Sequence, residues 1–229
     1  MKTVGIIGGM SWESTSTYYK RLNQLINKRL GGLHSAEILL ASLDFAPIEE
    51  MQSKGDWDAA TQALIAKARQ LEKAGAESIV IATNTMHKVA PQIEDAVKLP
   101  LLHIVDAVAE HLKQNNVNQV GLLGTRFTMQ QPFYRERLEQ QNIKVLIPGE
   151  SDGNTVDNII FKELCHGQFT DSARKQYLRI IEDLAAQGAQ GVILGCTEIG
   201  LLVQQEHSAL PLFDTTELHC RAIADWMLD

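Results

Sequence analysis

The sequence is short of cysteine, short of positive charge and free of long apolar runs, and each shortage removes a class of protein. Three cysteines among 229 residues, Cys165, Cys196 and Cys220, show no C-x-x-C spacing. They indicate neither a disulfide framework nor a zinc site. Lys and Arg number 21 against 28 Asp and Glu, for a net charge of −7. That balance argues against a general nucleic-acid binder and against an anionic-membrane binder. An acidic substrate must then be attracted by local groups, not by the field of the whole protein. No apolar run approaches the roughly 20 residues that span a bilayer. The opening MKTVGIIGGMSW lacks the h-region and cleavage site of a signal peptide. A soluble protein of a reducing compartment, the cytoplasm, is expected. The seven histidines show no metal-ligand spacing, and Gly8-Gly9 is not a G-x-G-x-x-G dinucleotide fingerprint.

What is present is a regular alternation. With 45 % hydrophobic residues the chain can bury a sizeable core. Apolar runs at Thr3–Ile7, Glu37–Leu43, Ser78–Ala82, Leu101–Val105, Gln119–Leu123, Val145–Ile147, Val192–Leu194 and Leu212–Phe213 read as buried strands. Amphipathic stretches lie between them, such as Thr61–Ala74 with Leu64, Ala68, Leu71 and Ala74 at helical spacing. Strands alternating with helices predict an α/β fold with mainly parallel sheets flanked by helices.

The alternation runs twice. VGIIGGMS (4–11) returns as VGLLGTRF (120–127), LEKAGAESIVIATNT (71–85) as LAAQGAQGVILGCTE (184–198), and LPLLH (99–103) as LPLFD (210–214). The copies stand 116, 113 and 111 residues apart, in the same order. Two pseudo-symmetric α/β halves are expected. The expected division is 1–98 plus 209–229 for the first domain and 99–208 for the second.

The 113-residue offset sets Thr83 on Cys196, each just past the C-terminal end of a strand. Open α/β sheets bind ligands there. Halves facing each other would present these two residues from opposite sides of one cleft, which suits chemistry on both faces of a single carbon. Cys196 sits in Gly-Cys-Thr-Glu at a strand-to-helix junction, where backbone N–H groups favour the thiolate; it could also be a small core cysteine. Asn84, Thr85, Thr197 and Glu198 are helix caps by type, and the same groups can hold a carboxylate. Gly8-Gly9-Met10-Ser11 would let the backbone approach a ligand closely. His87 and His103 follow strands and could support the site, while His34, His111 and His207 look like surface residues. Arg126 reads as a surface arginine, Cys165 and Cys220 as core residues, and Trp226-Met227-Leu228 as the docking segment of a terminal helix.

On the motifs GIIGGMSWEST, NTMH, LLGTRFTM and GCTEIGLL, the chain resembles the aspartate/glutamate racemase family along its whole length. The resemblance implies two α/β halves with the active site in the cleft between them, a homodimer, and no cofactor. It also implies a pair of cysteines, one removing the α-proton of an acidic amino acid and the other protonating the opposite face. Cys196 matches the second of these. The first belongs at position 83, where this chain has Thr83. Met10, Ser11, Gln52, Asn84, Thr85, Thr128 and Thr197 match positions around the family's substrate. Many members carry a lysine directly before the Gly167 position, and this chain has His166.

Thr83 is about the size of cysteine, but its hydroxyl is a far weaker acid than a thiol. Each pKa unit of mismatch is worth about 1.36 kcal/mol, so Thr83 is a poor base. Donating a proton to a reactive carbanion asks less of it. The expectation is a racemase of aspartate or glutamate biased toward the L-isomer, with Cys196 as the L-side base. Two alternatives stand beside it: a single-cysteine decarboxylase of the arylmalonate type, and a non-catalytic amino-acid-binding protein.

Overall fold

The computed structural model covers residues 1–229 and divides into two compact units, residues 1–104 with 219–229 and residues 105–218. In the first unit the chain forms β1 (Val4–Gly8), α1 (Trp12–Leu30), β2 (Ile38–Ser42), α2 (Phe45–Lys54), α3 (Trp57–Lys73), β3 (Ser78–Ile81) and α4 (Ala90–Ala96). α5 (Ile104–Gln114) carries the chain onward. The second unit then builds β4 (Gln119–Gly124), α6 (Arg126–Gln130), α7 (Pro132–Glu139), β5 (Lys144–Leu146), α8 (Glu150–Lys162), α9 (Asp171–Ala186), β6 (Val192–Gly195), α10 (Ile199–Leu202) and β7 (Leu212–Asp214). α11 (Thr215–Leu228) returns the chain to the first unit. None of these helices is long and apolar enough to cross a membrane.

Both sheets are wholly parallel. The first has the order β2-β1-β3, and Leu101 adds a single parallel bridge to Ile79 beyond β3. The second has the order β5-β4-β6-β7. The repeat maps β1, β2, β3 and Leu101 onto β4, β5, β6 and β7 in the same spatial order. β1 and β3 are buried along their full length, because helices cover both faces of the sheet. Ile7, Ile79 and Ile81 pack against Leu64, Ala68 and Leu71 of α3. The alternate residues Val4, Ile6 and Val80 pack against Tyr18, Leu22 and Ile26 of α1 and Cys220, Ile223 and Met227 of α11. In the second unit Leu123, Val192 and Leu194 meet Tyr177 and Leu184 of α9.

The terminal helix docks as expected, with Lys2 N–H bonded to Met227 O at 2.8 Å and the Lys2 ammonium 4.9 Å from the Trp226 ring centre. α3 starts four residues before the expected Thr61, because Asp56 Oδ1 caps it by accepting from Ala59 N–H at 3.1 Å. Ala74 closes that helix and is exposed, not part of its apolar stripe.

One expected strand is absent as such. Leu101–Val105 contributes only the bridge at Leu101, and Ile104 and Val105 open α5. Both are fully buried together with Val108, Ala109 and Leu112, which is a helical stripe and not a strand's alternation. A short apolar run does not by itself distinguish the two. The unit boundaries accordingly fall at 104/105 and 218/219, later than the expected 98/99 and 208/209. The bridge ties Leu101 to the first sheet, and β7 belongs to the second.

Candidate active site

The first strand end is assembled by three segments. After β3, residues 82–84 turn sharply and Thr85–Val89 form a 3-10 turn, since small polar residues follow the Ile-Val-Ile run. Thr83 is half-buried, and its carbonyl accepts a 2.8 Å hydrogen bond from Nδ1 of His87. Ser11 caps α1 by accepting from Ser14 N–H at 3.2 Å, and the Ser14 hydroxyl donates to Ala82 O at 3.0 Å. The start of α1 is thereby tied to the end of β3. Gly9 makes the turn from β1 into α1 possible: its φ is +90°, and a β-carbon there would stand 2.1 Å from Leu43 O. Met10 and Met86 lie in one buried cluster, and buried Gln52 donates from Nε2 to the Met86 sulfur at 2.9 Å. Met10, Ser11, Gln52, Asn84 and Thr85 thus all belong to the first unit, with Asn84 and Thr85 buried on the turn itself.

The second strand end carries the thiol. Cys196 follows β6 directly, is half-buried, and donates from Sγ to Oε2 of Glu198 at 2.9 Å. Burial pushes the Cys196 thiol well above its ordinary value, and the neighbouring Glu198 charge pushes it further. The sequence suggested the opposite direction, from backbone N–H groups at a helix start. α10 is only one turn long, and the thiol donates its hydrogen bond to a carboxylate. Cys196 is therefore a protonated thiol with an acceptor in hand. It can give its proton away as it stands, and can act as a base once Glu198 has taken that proton.

Thr128 is fully buried, with its hydroxyl 3.2 Å from that of Thr125, whose oxygen caps α6. It packs against the end of β6: a β-carbon at Gly195 would lie 3.2 Å from the Thr128 methyl and 3.0 Å from Leu123 O. Thr197 accepts from the Thr216 hydroxyl at 3.5 Å. Thr215 donates to Leu194 O at 2.9 Å, and half-buried Asp214 accepts from the N–H groups of Thr216 and Glu217. Burial holds Asp214 above the usual carboxylate range. His166 is exposed on the short 3-10 turn Leu164–His166. Cys165, expected in the core, is exposed as well: Leu164 is the buried residue of that turn, so the apolar neighbour and not the thiol faces inward. Its charge also acts to raise the Cys196 thiol. Cys220 is buried, and Arg126 is exposed. No group of three or more His, Cys, Asp or Glu side chains is placed to hold a metal ion.

Sequence reasoning placed Glu198 at the strand end without seeing that it accepts the thiol's hydrogen bond. The i to i+2 spacing after a buried strand is the available signal. His219 was overlooked, because a single histidine in an apolar helix gives no pattern; it accepts from Tyr18 OH at 2.9 Å and donates to Leu102 O at 2.8 Å.

The second unit thus presents, at the end of a parallel strand, a thiol hydrogen-bonded to a carboxylate. The Asp/Glu/hydantoin racemase pattern matches residues 7–223, and the chain belongs to that family. It is 53 % identical to a candidate Asp/Glu racemase from Yersinia pestis, with a TM-score of 0.95 and full coverage of both chains. An aspartate racemase homologue from Pyrococcus horikoshii OT3, PH1733, is 35 % identical with a TM-score of 0.89, again over both chains in full. The broad-specificity amino-acid racemase RacX of Bacillus subtilis is 26 % identical over 216 residues, covering 93 % of this chain and 92 % of that one.

Proposed function

We propose that this protein is a cofactor-independent racemase of aspartate or glutamate in which Cys196 serves the α-proton of the L-isomer. Thr83, or water held by it, supplies the proton that completes inversion. The observation that carries this reading is the pairing of the Cys196 thiol with Glu198 at 2.9 Å, set at the end of a buried parallel strand. The thiol proton passes to Glu198, the thiolate takes the α-proton, and the carbanion is reprotonated from the Thr83 side; Glu198 then releases its proton to solvent, and Thr83, or its water, regains one from solvent. An amino acid brings its own ammonium group, whose positive charge offsets the Glu198 charge that resists thiolate formation.

Asn84, Thr85 and Thr197 are proposed to hold the α-carboxylate through hydroxyl, amide and backbone N–H groups. Met10, Ser11, Gln52 and Thr128 are proposed to shape the site, and exposed His166 to meet the side-chain carboxylate. A homodimer in the cytoplasm is part of the same proposal. Enantiomers are equally stable in water, so a bias toward L reflects unequal commitment of the two isomers and not a one-way equilibrium.

One observation favours a second reading. A thiol held protonated is already suited to proton donation, which is all a single-cysteine decarboxylase of the arylmalonate type needs. The experiment that separates them is α-proton exchange in D2O, followed by NMR, on each isomer of aspartate and glutamate. Exchange of an L-isomer that disappears in Cys196→Ala supports the racemase. Absence of exchange, with CO2 released from a disubstituted malonate, overturns it.

A further inference from the structure

The Thr83 carbonyl is held in an unusual way. In a regular helical turn it would receive the N–H of His87, but that N–H goes to Asn84 O at 3.1 Å. The imidazole of the same residue supplies the donor instead, from Nδ1 at 2.8 Å. A carbonyl oxygen only accepts, so Nδ1 carries the hydrogen and Nε2 of the neutral ring is an acceptor. Ile104 N–H points at that nitrogen from 3.3 Å. Both ring nitrogens therefore hold backbone atoms, and the side chain is 1 % exposed.

The ring is packed as well as bonded. His103 lies with its ring centre 4.5 Å away, and His219 at 5.9 Å. His219 is itself fixed by Tyr18 OH and Leu102 O. Because a trans peptide is planar, anchoring the Thr83 oxygen also sets the Asn84 N–H on the opposite side of the same plane. One imidazole thus orients Thr83 and the following amide together.

The other strand end has no such clamp. The repeat places Gly200 where His87 stands, and the Cys196 carbonyl is closed by a backbone bond alone, from Ile199 N–H at 3.1 Å. We infer that His87 is a positioning residue for Thr83, acting through the Nδ1–H bond to its carbonyl so that the hydroxyl can deliver its proton. The inference rests on the proposed racemase reading.

The experiment follows an L-substrate in D2O and separates label gained with retention, which reports Cys196, from label gained with inversion, which requires Thr83. Misplacement of a reacting group costs one to two orders of magnitude, so His87→Gln should cut the ratio of inversion to retention about tenfold. His87→Asn places an amide nitrogen near the position of Nδ1 and should restore inversion to within about threefold of wild type. Retention in the same sample reports a folded enzyme. Equal inversion in His87→Gln and wild type overturns the inference, and so does equal loss in the Asn and Gln variants, which would mark simple packing. Ring 15N shifts of the wild type should show the Nδ1–H tautomer, and an Nε2–H ring overturns the inference independently of activity. No exchange of any kind in the wild type overturns the racemase reading, and this inference with it.

Discussion

The thiol of Cys196 donates to Oε2 of Glu198 at 2.9 Å, whereas Thr83, its counterpart in the repeat, is followed two residues later by Thr85. The two strand ends therefore differ in their acid and in the group beside it. A thiol with a carboxylate partner can both lose and regain a proton, while a hydroxyl, a far weaker acid, is suited to donation and not to proton removal.

Replacing Thr83 by cysteine should remove that restriction. A thiol populates its anion to about a few per cent at pH 7, far beyond a hydroxyl, so Thr83→Cys should raise α-proton exchange of the D-isomer at least tenfold. Exchange of the L-isomer should change little. NMR of D-aspartate and D-glutamate in D2O reads the gain, and an unchanged D-side rate would remove Thr83 from the proton path.

Glu198→Gln should make the thiol easier to ionise. Burial is the largest cause of its raised value and remains, but the charge of Glu198, which raises it further, is lost. Thiolate absorbance, measured against pH in a Cys165→Ser background, should therefore appear at lower pH in the variant. A curve that stays in place would mean that burial alone sets the thiol.

Asp214→Asn separates a cap from a charge. Asp214 is raised chiefly by burial, so the folded state holds its proton more tightly than the unfolded chain does. The ionised form is then a liability at neutral pH, and the liability fades as pH falls toward the ordinary carboxylate value. Asparagine keeps an oxygen for the Thr216 and Glu217 N–H groups and drops the charge. The variant should melt higher than wild type near pH 7, with the advantage gone near pH 4. Equal melting at both would show that the cap bonds offset the burial.

Gly9→Ala should be among the most disruptive single-methyl changes in the first unit. A φ of +90° and a methyl 2.1 Å from Leu43 O combine strain with a backbone clash. Positive φ alone costs about 1–3 kcal/mol in a residue with a side chain, and the clash adds to it. A drop in the urea midpoint of unfolding is the expected readout, and an unchanged midpoint would show that the loop after β1 can shift.

Much of this architecture was legible in the chain. Thr3–Ile7, Ser78–Ala82 and Val192–Leu194 read as apolar runs cut off by small residues, and each is a buried strand whose end falls within one residue of the end of its run. The repeat also anticipated equivalent sheet order in the two units. Ile104 and Val105 were misread because two β-branched residues look alike at the end of a strand and at the start of a buried helix. Cys165 was misread because an apolar neighbour does not say which of the two side chains faces inward. The direction of the Cys196 thiol was out of reach for another reason. A helix start and a carboxylate two residues on push opposite ways, and only distance and burial decide between them.

The doubled strand end has a consequence for how such a protein can change over generations. Thr83 and Cys196 are each held by their own sheet, their own turn and their own set of caps. Position 83 can therefore be rewritten without disturbing the scaffold that carries position 196. On the proposed reading, handedness, ordinarily a property of a whole enzyme, comes within the reach of one codon.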